Sequence, residues 1–109
     1  MGLDIYFKET RPVLCPHCGQ MVMTEEVSNE WVNGREWYPF LESIGYYVPY
    51  EQRTEENDWY GKDMTLTEKQ VEELYAFIKK RDMHYGAEVR SMIMRALLDG
   101  TNIVVNADW

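Results

Sequence analysis

The sequence has no run of apolar residues long enough to cross a bilayer, no glycine-serine linker, no low-complexity stretch and no visible repeat. A membrane span, two domains joined by a flexible hinge, and a repeat architecture are therefore poor descriptions of it. Its first residues, MGLDIYFKE, carry neither the basic leader nor the apolar stretch of a secretory signal, so a cytosolic (cytoplasmic) location is expected. In that reducing setting its only two cysteines, Cys15 and Cys18, are read as thiols or thiolates rather than a disulfide. Basic residues are also scarce: 11 Lys and Arg face 19 Asp and Glu, for a net charge of −8. A surface this acidic does not hold a phosphate backbone, which needs clustered Lys and Arg, so direct nucleic-acid binding is not expected. Catalytic motifs are missing too. No serine has nucleophile-elbow surroundings, no glycine-rich loop has phosphate-binding spacing, and HExxH is absent.

What is present suits a packed protein. Hydrophobic residues make up 45% of the 109 positions and aromatics 14%, enough for one modest core and too little for two, so residues 1–109 are expected to form a single domain. LDIYFK, residues 3–8, reads as a strand, and QMVMTEEV alternates as a second strand leaving the turn around CPHCG. In the next segment Asn33 and Glu36 have capping-box spacing, and Trp37, Phe40, Leu41 and Ile44 recur at helical intervals before Gly45. Pro39 is tolerated only in a first turn, so a short helix over about residues 37–44 is expected. A long irregular connection follows. In LTEKQVEELYAFIKKRD, Thr67 can cap a helix with Gln70, Leu66 can staple to Val71, and Val71, Leu74, Tyr75 and Ile78 form one stripe. A further helix is read from Gly86 to Asp99, with Val89, Met92, Ile93, Ala96 and Leu97 inward and Gly100 as its stop. Ile103, Val104 and Val105 read as a last, buried strand. The expected fold is α+β: a small, mainly antiparallel sheet with both terminal strands and a CxxC knuckle hairpin, packed against two or three helices.

CPHCG, residues 15–19, has the spacing with which two thiolates reach one zinc ion; its proline stiffens the turn and Gly19 can take a positive φ. It supplies half a tetrahedral site. The chain has no second cysteine pair, and the other strong ligands are His17, poorly aimed for the same ion, and His84 between the two long helices. Three readings stay open: zinc on Cys15, Cys18, His84 and a carboxylate or water; one ion shared by four cysteines of a homodimer; or an empty knuckle. A structural zinc is preferred over a catalytic one, and a capping or packing role for His84 is preferred over that of a catalytic base.

The acidity is concentrated. Residues 21–78 carry thirteen acids against four bases, and nine of the fifteen aromatics fall between residues 31 and 60. Trp37, Phe40 and Tyr46 are assigned to the core. Tyr47, Tyr50, Trp59 and Tyr60 lie in loop-like context among Glu51, Glu55, Glu56 and Asp58, a composition that suits a protein-binding surface, although aromatics folded back beneath a loop account for it as well.

GLDIYF at residues 2–7, CPHCG at 15–19, NEWVN at 29–33 and VNADW at 105–109 together resemble a group of small phage- and prophage-encoded proteins of unassigned function. NEWVN departs from that pattern in lacking a threonine. The resemblance implies a bacterial or phage setting and an accessory role, with no activity to carry over. The leading expectation is a non-enzymatic protein that occupies the surface of a basic, nucleic-acid-handling partner, as an anti-CRISPR inhibitor does. A small zinc-dependent enzyme and a zinc-clamped dimer are the alternatives.

Overall fold

The computed structural model describes residues 3–14, 19, 21–81 and 86–109. Two long strands, β1 (Asp4–Leu14) and β2 (Met21–Asn33), form an antiparallel hairpin. A 3-10 turn (Arg35–Trp37) leads into the short helix α1 (Tyr38–Ser43), and an irregular connection runs on to the two-residue strand β3 (Met64–Thr65). Helices α2 (Glu68–Lys80) and α3 (Gly86–Asp99) then precede the final strand, β4 (Asn102–Asp108). The sheet order is β2-β1-β4-β3, every pair antiparallel, so β1 and β4 lie side by side at its centre. The α+β class and the pairing of the terminal strands are as the sequence indicates.

Alternation along the strands builds the core. Ile5 and Phe7 on β1, Val32 on β2, and Ile103, Val105 and Ala107 on β4 face inward, against Trp37, Phe40 and Leu41, against Val71, Leu74 and Ile78 of α2, and against Val89, Met92, Ile93 and Ala96 of α3. Tyr46 is buried with them. The capping box of α2 forms as its sequence demands: the Gln70 N–H donates to Thr67 Oγ1 at 3.2 Å, and the Thr67 N–H donates to Gln70 Oε1 at 2.9 Å. Leu66 and Val71 are both buried beside it.

Helix ends at two positive-φ glycines steer the chain. At Gly45 (φ 77°) the Tyr46 N–H donates to the Leu41 carbonyl at 2.9 Å and the Gly45 N–H to that of Glu42 at 3.1 Å. This wrap turns Tyr46 back onto the core. At Gly100 (φ 71°) the N–H groups of Gly100 and Thr101 both donate to the Ala96 carbonyl, at 2.9 and 3.1 Å, and deliver the chain to β4.

Two expectations change. Residues 29–33, NEWVN, form the end of β2, because Asn33 pairs with Asp4 and the Trp31–Val32 alternation continues the ladder. The Asn33–Glu36 capping box is accordingly not made; Gly34, at φ 121°, opens the turn with no side-chain cap. Leu97, expected inward, is 50% exposed, since α3 buries the narrower stripe of Val89, Met92, Ile93 and Ala96. The hairpin also outruns the sheet. β1 pairs with β4 only as far as Thr10, so residues 11–14 and their partners on β2 form a two-stranded ribbon. A thirteen-residue strand spans ~43 Å, and the molecule's longest dimension is 46 Å.

Candidate interaction surface

Tyr46 is the buried anchor of the connection between α1 and β3, whose end is also held by Asn106 of β4, which donates to the Gly61 carbonyl and to Asp63 Oδ1 at 3.1 and 2.8 Å. β3 covers the outer edge of β4 only opposite Val104 and Val105, so the edge groups of Ala107 need other partners. The Tyr46 hydroxyl accepts from the Ala107 N–H at 2.8 Å and donates to the Lys62 carbonyl at 2.7 Å, and the Gly61 N–H donates to the Ala107 carbonyl at 2.9 Å. The loop therefore completes the sheet edge that β3 is too short to cover. Burial raises the pKa of Tyr46 above the usual 10.0, with the hydrogen bonds to Ala107 and Lys62 opposing that rise.

The last residue lies on this anchor. The Trp109 ring meets those of Tyr46, Tyr47 and Tyr60 edge to face, with centroids 6.2, 5.1 and 4.8 Å away. Tyr47 in turn meets Tyr38 at 4.9 Å, and burial followed by the neighbouring Tyr47 raises the Tyr38 pKa. The guanidinium of Arg53 sits over the Trp109 and Tyr47 rings at 5.3 and 5.9 Å, while its Nε and Nη2 donate to the Val48 carbonyl at 3.3 and 3.0 Å.

From there the loop is shaped by short polar contacts. The Thr54 N–H donates to Asn57 Oδ1 at 2.6 Å, the Asn57 N–H returns to Thr54 Oγ1 at 3.3 Å, and Asn57 Nδ2 reaches the Gln52 carbonyl at 3.1 Å. The Tyr60 N–H donates to Asp58 Oδ1 at 3.1 Å. The result is a shallow depression of about 540 Å³ lined by Tyr50, Glu51, Arg53, Thr54, Glu55 and Asp58.

Of the aromatics assigned to a contact surface, Tyr50 is 84% exposed and Tyr60 47%, but Tyr47 and Trp59 are half-buried against Trp109 and Tyr46. Folding back beneath the loop therefore describes those two. Glu51, Glu55 and Asp58 converge on the depression, whereas Glu56 is exposed outside its lining. Arg53 and Trp109, which complete the arrangement, carry no signal in the local pattern: one is a lone base in an acidic loop, and the other stands 49 residues from Tyr60.

Cys15, Cys18 and His84, the expected zinc ligands, lie outside the described residues. Gly19 does hold φ 69°, the conformation a knuckle asks of it. Among the described residues no three His, Cys, Asp or Glu side chains come together in a way that could hold a metal ion.

A second polar feature escaped the sequence reading. Glu9, on the inward face of β1, is only 1% exposed. Its carboxylate accepts from Ser28 Oγ at 3.0 Å and from Thr101 Oγ1 at 2.7 Å, and Arg95 Nε stands 3.6 Å away. The signal was available, because Ile5, Phe7 and Glu9 occupy alternate positions of one strand.

Searches against family models, curated proteins and solved structures returned no significant match for this chain. Among the described residues no helix is long and apolar enough to cross a membrane.

Proposed function

We propose that the chain is a small acidic binding protein, of phage or prophage origin, that acts by occupying the surface of a basic bacterial protein. Residues 46–60 make the contact. The observation that carries this reading is the depression in which Glu51, Glu55 and Asp58 converge beside the outward-facing Tyr50, on a loop fixed to the sheet by Tyr46. Exposed aromatic area with a carboxylate rim suits a cationic patch, with the aromatics supplying affinity and the acids orientation and encounter rate. A nucleic-acid enzyme presents such a patch where it holds phosphates, so occupying it inhibits that enzyme without any reaction being catalysed. Zinc on Cys15 and Cys18 serves in this reading as scaffold for the hairpin turn.

Replacing Glu51, Glu55, Glu56 and Asp58 together by lysine is expected to abolish capture of the basic partner in a pulldown from bacterial lysate. The variant should keep its circular dichroism spectrum, because these side chains lie outside the core. Capture by the unmodified chain should weaken with added salt. Capture unaffected by the charge reversal would overturn the assignment of residues 46–60.

A further inference from the structure

The chain supplies a cation to its own acidic loop, and places it against rings rather than carboxylates. Arg53 is the only base among residues 46–60, where four carboxylates surround it in sequence. Among the described residues it forms no ion pair with any of them. Its guanidinium instead fills the corner between the Tyr47 and Trp109 rings, which meet at 78° with centroids 5.1 Å apart. Tyr60 stands edge-on to the same Trp109 ring at 87°. The Val48 carbonyl accepts from two nitrogens on one edge of the guanidinium. A planar fork satisfies both demands at once; a compact ammonium does not, so the corner is shaped for arginine rather than lysine.

We infer that this corner is an arginine-recognition site, held closed in the free protein by Arg53 and opened when an arginine side chain of the partner takes its place. The inference rests on residues 46–60 being the contact surface. Arg53 also lines the depression bounded by Glu51, Glu55 and Asp58, so when displaced it has carboxylates within its own loop to turn to. The incoming arginine gains the rings and the Val48 carbonyl, and the released one gains ion pairs. The exchange is close to balanced and therefore reversible, and selectivity comes from the corner's shape. A site filled about nine-tenths of the time by an internal side chain binds an external one about tenfold more weakly than an open site.

The test needs no partner, so its failure and failure of the proposed contact are separable. N-acetyl-arginine amide is titrated into the whole protein while the Trp109 indole N–H resonance is followed by NMR. Arg53→Ala is expected to bind this probe about tenfold more tightly than the parent chain, and N-acetyl-lysine amide and the neutral citrulline analogue should bind more weakly than arginine. Adding Trp109→Leu to Arg53→Ala, with the backbone amide resonances of Tyr47 and Val48 followed in place of the indole, should remove the binding. Arg53→Gln, which keeps a donor for the Val48 carbonyl, gives the same reading if Arg53→Ala does not fold. No gain on removing Arg53, equal binding of lysine and arginine, or binding that survives loss of Trp109 would each overturn the inference.

Discussion

Two buried polar side chains, Glu9 and Tyr46, fix positions that apolar packing alone leaves free. Burying a carboxylate is costly unless its lone pairs are met, and Glu9 is met by two hydroxyls and a guanidinium drawn from β2, α3 and the turn between α3 and β4. Glu9→Ala leaves Ser28 and Thr101 without their acceptor and is expected to destabilise the fold by about 2–4 kcal/mol. Glu9→Gln, which keeps the volume, should cost less than half as much. Urea unfolding midpoints for both variants check the order. Exposed acids such as Glu56 give no comparable effect on truncation, since water already solvates them.

At the scale of elements, the termination of α3 is coupled to the centre of the sheet. Gly100 adopts a left-handed φ of 71°, and this turn presents Thr101 to Glu9, 92 residues away in sequence. A side chain at that φ is strained although nothing stands within 4 Å of the added Cβ, so Gly100→Ala is expected to cost about 1 kcal/mol. Its effect should be less than additive with Glu9→Ala, because the second change removes the bond that the turn serves. A double-mutant cycle measures this; full additivity would mean that the turn and the carboxylate act independently. Local signals located these elements well where they were self-contained. The Thr67–Gln70 box formed as its spacing demands. The Asn33–Glu36 box did not, because a strand partner claimed Asn33 first. Spacing reports what a segment can do alone, whereas pairing with β1 was decided by a strand nearly thirty residues earlier.

The whole molecule is a short sheet whose edge is finished by a loop, and its alkaline stability should show it. The Tyr46 pKa is raised by burial, so the folded state retains the phenol proton at a pH where the unfolded chain has lost it. The stabilisation is fully present below the unfolded value near 10 and is lost as pH rises from there through the folded value. Tyr46→Phe removes the acceptor of the Ala107 N–H and should lower stability at neutral pH by about 1–3 kcal/mol. It should also flatten the decline between pH 9 and 11. Chemical denaturation of both proteins across that range makes the comparison. An equally steep decline in the variant would assign alkaline sensitivity to other groups. The same hydroxyl holds the acidic loop on the sheet, so the variant tests whether the candidate surface depends on this anchor.

The order of elements apart from the two-residue β3, the α+β class, the apolar stripes of α2 and most of that of α3, and the concentration of acids and aromatics in residues 46–60 were determined by the sequence alone. They are properties of single segments, set by period, caps and composition. Which of those aromatics face outward was decided only by tertiary structure. Tyr50 remains exposed and Tyr47 does not, because Trp109 at the end of β4 is carried to Tyr47 by the pairing of β4 with β1. The corner that holds Arg53 arises in the same way, from rings 62 residues apart whose meeting no local pattern encodes.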